Sequence, residues 1–363
     1  MDEVVVVGGG ITGAFAGYFL AKRSVRVTLI DDASPEHTAT KNNPGGINPL
    51  HGPGIPGEME PFAMHAYRLH AAHQQDIQQR SGVDPDYRVV ARVELAFSQE
   101  DVHRIQALAP LYERNDGFSA QWLNQAHIRR TYPAVSADVL GGLQMKGNAC
   151  VDTHAYRRAV VLAAQTYGME QIQGHAEHVA PGLVRISGRN LHCKHVVLSV
   201  GPWLDRLVPE LEAGLHITAL KGQMLRATVK GAPPATDVTW GLHGLYQIVG
   251  NEYWLGGTKE DTGLDGEPDE QGKAEVLAGV RKMLPHLEAL DVHEHVAGLR
   301  PCTSDGLPLL GVLPELENTV IADGSGSKGI LYSAALGEQV ARLVCEGQTD
   351  PRFEFLSPAR LLS

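Results

Sequence analysis

Cysteine is scarce and scattered: four residues, Cys150, Cys193, Cys302 and Cys345, stand far apart with no CxxC pair among them. That spacing excludes a zinc knuckle and a disulfide framework, and it fits a chain working in a reducing cytosol. Positive charge is also in short supply. Lys+Arg 31 against Asp+Glu 42 leave a net charge of −11, a field that repels phosphate backbones and argues against nucleic acid as the main partner. The stretch from Val4 to Ala21 has the length of a membrane span, but glycines cluster in its middle and "AKRSVRVTLIDD" follows at once. It therefore reads as strand, turn, helix and strand, with no spanning segment. No basic n-region or cleavage site precedes it, so a signal peptide is not expected and the expected location is cytoplasmic. Repeats, low-complexity tracts and flexible linkers are absent too. The 363 residues suffice for one large domain or two intertwined ones.

What is present begins with "VVVVGGGITG" at residues 4 to 13. Four β-branched residues suit a parallel strand buried on both faces, but the glycines after them pack nothing and cost entropy on folding. "ITGAFAGYFLAK" then suits a helix held close to a sheet, and "VRVTLIDD" a second strand ending in acids. Gly8, Gly10 and Gly13 fit G-x-G-x-x-G, with Asp31 beyond them. In a dinucleotide site the first glycine makes the turn, the second admits a pyrophosphate, and the third lets helix and strand touch. The helix start, with Ile11 and Thr12, offers free N–H groups and positive potential to the phosphates. Asp31, with Asp32 beside it, suits a ribose diol. Strand, glycines, helix, strand and acid fall in order, so this segment is expected to bind a dinucleotide. Whether that is FAD or NAD, the fingerprint alone leaves open.

Further along come "HTATKNNPGGINP", "VVLSVGPW", "LKGQMLRATV", "AGLRPCTSDGLPLLG" and "ADGSGSKGI". In these segments the sequence resembles the D-amino-acid oxidase-like FAD oxidoreductases, the group that includes glycine oxidase, sarcosine oxidase and D-amino-acid dehydrogenase. The "GLRPCTSDGLPLLG" block is the most specific part, and the resemblance spans nearly the whole chain. It implies FAD as cofactor and an α/β Rossmann-like FAD-binding domain interleaved with an α+β antiparallel-sheet substrate domain. The cofactor domain is expected at 1–80, 140–205 and 292–363, and the substrate domain at 81–139 and 206–291. Around the flavin the resemblance places Thr38, Ala39, Thr40, Asn43, Gly45, Gly46 and Ile47 from the second loop. It adds Ala176, Gly201 and Trp203 from the middle of the chain. Gly298, Arg300, Gly326, Ser327, Lys328, Gly329 and Ile330 come from the end.

The resemblance further implies hydride transfer from a substrate C–H bond to the flavin, leaving an imine that hydrolyses. Arg300 is expected to pair its planar fork with a substrate carboxylate. Tyr246 is expected over the substrate, and Lys328 stands where many relatives carry arginine or asparagine. The turn around Lys328 lacks the family's histidine and, like "NPGGINPLHG", is closer to the oxidase domain of the bifunctional tRNA-modifying enzymes. Lys259 aligns with a lysine that sarcosine oxidases use with oxygen, although an exposed strand-end lysine reads equally well. His51 and Asn48 follow the flavin-facing loop and are candidates for the cavity wall. Alignment on Thr303 and Asp305 puts the cysteine of covalent relatives at Gly298, so FAD is expected to be held non-covalently. The seventeen histidines show no ligand triplet at metal spacing, and no metal is expected.

The leading expectation is oxidation of a small amino acid or secondary amine, with oxygen or a quinone-type carrier as acceptor. Oxidation of a 2-hydroxy acid, which keeps Arg300 for the carboxylate, is the first alternative. The second is an oxidase acting on a modified tRNA base, which the acidic balance and the lack of room for a fused methyltransferase oppose. Oligomeric state is not legible.

Overall fold

The computed structural model of the chain describes residues 2–32, 36–209, 211, 215–231, 233–287 and 289–362. Residues 1, 33–35 and 363 of the expected cofactor domain lie outside the described residues, as do 210, 212–214, 232 and 288 of the expected substrate domain.

The first apolar run forms the strand Asp2–Val7, in which Val4, Val5 and Val6 are fully buried. It pairs in parallel with Val27–Asp31 on one side and Arg189–Leu198 on the other. Beyond these lie Glu170–Gln173 and Thr319–Asp323, also parallel. With Leu309–Val312 and the hairpin strands Ala176–Ala180 and Leu183–Ile186, they complete an eight-stranded sheet. From Asp2–Val7 the chain builds first to one side and later to the other. Such a reversal opens a crevice at the carboxyl ends of the strands.

"HAEH", with its helix-like spacing, instead begins the Ala176–Ala180 strand. Pro181 and Gly182, the latter at φ +68, turn the chain straight back on itself, and no helix survives so short a run.

Four helices, Ile11–Lys22, Met59–Ser81, Thr153–Thr166 and Gly329–Glu346, bury their apolar faces on one side of this sheet. Asp152 caps the third of these helices, accepting from Ala155 N at 2.8 Å, which makes Thr153 the first helical residue. Gly337 lets the first and last helices touch backbone to backbone. A Cβ there would lie 2.5 Å from the Phe15 carbonyl carbon and 2.7 Å from Ala16 N.

The second sheet has nine strands and is mainly antiparallel. It runs Ala289–Cys302, Thr218–Lys230, Glu252–Gly256, His243–Val249, Asp237–Trp240, Arg88–Ala96, Gly141–Cys150 and Gly46–Ile47, with Ser119–Asn124 also on Gly141–Cys150. The helix Glu270–Met283, visible in the sequence spacing, packs on one face. "LKGQMLRATV" reads as a half-exposed strand, yet most of it is buried. It lies between two neighbours, and its polar side chains enter a network: Lys221 Nζ reaches Glu260 and Asp269, each at 3.1 Å.

Gly141–Cys150 falls wholly, and Ala289–Cys302 mostly, within the segments expected to build the cofactor domain, yet both hydrogen-bond in this second sheet. We propose domain boundaries nearer 150 and 302, where the chain leaves that sheet.

Replacing Gly337 with valine forces the first and last helices apart. It is expected to cost about 2–3 kcal/mol, read as a lower midpoint in urea unfolding.

Candidate active site

The crevice lies where the reversed strand order predicts it. Val7 and Gly8, Ile30 and Asp31, Ser199 and Val200, and Asp323 line it from the ends of four parallel strands. Its volume of about 460 Å³ is in the range of small-molecule and cofactor sites.

The three glycines of the first turn have different physical reasons. Gly8 sits at φ +101, and a Cβ on it would lie 2.1 Å from Ser199 O. At Gly13 a Cβ would lie 1.9 Å from Gly8 O, so strand and helix are in backbone contact. Gly10 is another matter. Its φ of −62 and ψ of 178 are open to any residue, and the nearest atom to an added Cβ is Thr40 Oγ1 at 3.5 Å. Nothing in the protein requires glycine there; a ligand lying against the backbone would. The helix behind it has no side-chain cap and no acid in its first turn, so its positive end stays directed at the crevice. This bare cradle fits the diphosphate of a dinucleotide.

Around it stand Ile11, Thr12, Asp31, Asp32, Thr38, Ala39, Thr40, Asn43, Ala176, Gly201, Trp203, Gly326, Gly329 and Ile330. Asp31 pairs with Arg157, whose Nε also reaches Gly9 O at 2.6 Å, and Asp32 meets His175 at 3.0 Å. Thr40 Oγ1 accepts from Ile11 N at 3.1 Å, joining the second loop to the helix start.

Other expected cofactor residues lie outside the lining. Gly13 is behind the turn. Gly45 seats the loop on Val151 O, 1.8 Å from where its Cβ would be, and Gly46 and Ile47 pair with Cys150 and Ala149. Gly298 packs under Asn42, and Ser327 is exposed. Arg300 is displaced by strand geometry. Leu299 and Pro301 line the crevice, and alternation turns Arg300 to the opposite face.

On that face Arg300 joins Tyr246 and Arg92, opposite the side of the sheet where Leu245, Leu255, Val93 and Leu95 form the core beneath the helix Glu270–Met283. Two glycines clear the way. A Cβ on Gly222 would meet Arg300 Nη2 at 2.0 Å, and one on Gly244 would meet Tyr246 Cζ at 2.4 Å. Arg300 Nη1 donates to Thr258 O at 3.2 Å and Lys221 O at 3.4 Å. Among the described residues no carboxylate pairs with it, and burial lowers its pKa.

From the cofactor half come Lys328, His51 and Asn48. Lys328 Nζ donates to Asn48 O at 3.3 Å. Burial, then the charge of Arg92, brings its pKa down to about 7. His51 is open to solvent, but the surrounding protein, then Lys328, Arg92 and Arg104, hold its pKa at about 3. Through Asn48 and Tyr246, Lys328 and Arg92 form one cluster with Arg300 on the face of the sheet opposite its core, hereafter the recess. Lys259 is exposed on the loop after Glu252–Gly256 and lines neither crevice nor recess.

Sequence reasoning missed Arg92 and Asp323. Arg92 sits on the polar side of an alternating strand, which reads as a solvent face, yet its side chain is only 17% exposed. Asp323 had a signal: like Asp31, it ends a buried β run. Its carboxylate accepts from Gly201 N at 2.6 Å and Gly324 N at 2.8 Å, tying two crevice loops together. Burial raises its pKa to about 6.

A glycine-turn crevice at the switch point of a parallel sheet, roofed by an antiparallel one, defines a dinucleotide-binding enzyme of two interleaved parts. Residues 3–343 match the family described as FAD dependent oxidoreductase, and the chain belongs to that family. It is an FAD-dependent oxidoreductase. Over 356 residues it is 27% identical to the glycine oxidase of Bacillus subtilis (strain 168), covering 94% of this chain and 92% of that protein. The structure of glycine oxidase from Geobacillus kaustophilus superposes with a TM-score of 0.90 at 23% identity, covering 99% of this chain and 98% of that one. Iminodiacetate oxidase from Chelativorans sp. BNC1 gives 0.88 at 21% identity, covering 98% and 99%. No described helix is long and apolar enough to cross a membrane, and no group of three His, Cys, Asp or Glu among the described residues could hold a metal ion.

Two outcomes follow from this geometry. Gly10→Val should give a folded protein, with an unfolding midpoint close to that of flavin-free wild type, that purifies without yellow colour; Gly8→Val should fail to fold. Asp323 binds its proton more tightly in the folded chain, so flavin-free protein should lose stability as pH rises from about 4 to 6, by up to about 3 kcal/mol through this group. In Asp323→Asn that component of the slope should vanish when urea midpoints are compared across the window.

Proposed function

We propose that this enzyme oxidises the carbon–nitrogen bond of a small amine or amino acid bearing a carboxylate, and that Arg300 binds the carboxylate. One observation carries the reading. Arg300 is a largely enclosed guanidinium whose partners among the described residues are two carbonyl oxygens, placed one residue from the Leu299 and Pro301 wall of the cofactor crevice. An enclosed cation without a counter-ion is costly, and a planar carboxylate matches its fork. Similarity to glycine oxidases supports the same choice.

The helix start at Ile11 and the bare backbone of Gly10 would hold the FAD diphosphate, and Asp31 the ribose. Thr38 to Thr40 and Gly326 to Ile330 would hold the rest. No cysteine stands among the described lining residues, which supports non-covalent binding. Bound FAD supplies the two-electron acceptor for the substrate hydride, and the resulting imine adds water to give a carbonyl compound and the free amine. Tyr246, half-buried beside Arg92 with its hydroxyl pKa raised by the protein around it, stays protonated and can donate a hydrogen bond to substrate. Lys328 titrates near neutrality, so its Nζ holds or releases a proton under working conditions.

The test is anaerobic bleaching of the yellow protein by glycine, sarcosine, D- and L-amino acids and 2-hydroxy acids in parallel. An amine should bleach it; bleaching by 2-hydroxy acids alone would overturn the reading. Readmitted air then separates acceptors, with fast recolouring for oxygen and slow recolouring for a quinone-type carrier. Arg300→Met should lower kcat/KM for the active amine by at least about 30-fold, as loss of a buried charge-assisted pair does. Unchanged kinetics would make Arg300 structural.

A further inference from the structure

Arg300 is not the only enclosed cation in the recess. Arg92 projects from Arg88–Ala96 beside the Tyr246 ring, its guanidinium carbon 5.6 Å from the ring centre. Its Nη atoms lie 3.2 and 2.9 Å from the Asn48 side-chain oxygen when that amide is turned to satisfy both groups. Asp237 is 4.0 Å away, at the outer limit of an ion pair, and among the described residues the buried Arg92 Nε has no hydrogen-bond partner. Lys328, next to it, donates to a backbone carbonyl and, among the described residues, pairs with no carboxylate. Of the other acids here, Glu94 is taken by Arg104 at 2.7 Å and Glu260, near Arg300, by Lys221 at 3.1 Å. Cations therefore outnumber carboxylates around this space. His51, exposed at its edge, is held neutral chiefly by the protein around it and then by Lys328, Arg92 and Arg104.

Water does not compensate enclosed charge of this kind, and paired anions do. Arg92 lies over the Tyr246 ring, and the strand registers put Arg300 on the same face of the sheet, so both anion-seeking positions look to one side of it. A glycine-sized monoacid satisfies only one of them.

We infer that the substrate is an amine with two carboxylates, an amino- or imino-dicarboxylate, whose first carboxylate binds Arg300 and whose second binds Arg92 and Lys328. This rests on the amine-oxidation reading above for its chemistry, but not for its binding geometry. Arg92 acts here as a specificity residue: it selects among acids and takes no part in bond breaking. A second carboxylate between Arg92 and Lys328 also relieves their mutual repulsion, so the dianion is favoured twice over.

The test uses the yellow wild-type protein and two readouts. In the first, non-oxidisable acetate, malonate, succinate and glutarate are titrated against the visible flavin spectrum. At least one dicarboxylate should bind tenfold or more tightly than acetate; equal binding of all four overturns the inference. In the second, kcat/KM for iminodiacetate, aspartate and glutamate (both enantiomers) is divided by that for glycine and sarcosine. The best ratio should exceed ten in wild type, fall at least tenfold in Arg92→Met, mainly through KM, and be partly restored in Arg92→Lys. A ratio below one, or one that survives Arg92→Met in folded yellow protein, sinks the inference. Should the variants not fold, both wild-type comparisons still decide it. The two readings fail separately. If monocarboxylic amines bleach the flavin and dicarboxylic ones do no better, only the second carboxylate is lost. If no amine bleaches it, amine oxidation is lost, and the dicarboxylate titration still judges the recess.

Discussion

Backbone touching backbone at one bend is the constraint on which the rest of the molecule depends. Gly8 leaves no space between the end of the first strand and Ser199, and Gly13 brings the first helix onto Gly8. Three passes of the chain thus meet without intervening side chains. Any side chain at Gly8 or Gly13 would wedge the sheet from the helix and move the helix start off the crevice. Because the contact is tight, Gly10 can leave its face to a ligand. The four-helix layer then holds this arrangement from behind, with Gly337 repeating the same close approach between the first helix and the last.

The strand Ala289–Cys302 carries that order into the second sheet. It pairs with Thr218–Lys230 along its length, and near its end it touches the cofactor half through the Leu299 to Thr38 and Cys302 to Ser325 bridges. Pleat alternation gives its last residues two duties, with Leu299 and Pro301 toward the crevice and Arg300 toward the recess. Crevice and Arg300 are therefore set on opposite faces of one strand. The glycines at 222 and 244 extend this logic, since bare positions on neighbouring strands let the Arg300 and Tyr246 side chains lie across the sheet.

Charge distribution sets the recess apart from the rest of a strongly acidic chain. Most enclosed ions are matched: Lys221 with Glu260 and Asp269, Arg104 with Glu94, Arg157 with Asp31. Among the described residues Lys328 and Arg300 pair with no carboxylate, and Arg92 meets Asp237 only at 4.0 Å. Unbalanced charge persists where function uses it and the surrounding packing holds it in place.

Local patterns alone determined the first strand–turn–helix–strand unit, the acid-ended strands, the Asp152-capped helix and the helix Glu270–Met283. Each is a short-range consequence of side-chain periodicity and cap chemistry. They also brought Gly8, Gly10, Gly13 and Asp31 to one turn, because those residues act within a few positions of one another. The tertiary structure decided everything that depends on which segments become neighbours. It buried the polar side of Thr218–Lys230, gave Gly141–Cys150 to the second sheet, and turned Arg300 away from the crevice its neighbours line. It also moved Arg92 from an apparent solvent face into an enclosed one. An alternating strand specifies two faces but not which of them meets water, and only the packing of a second layer settles that.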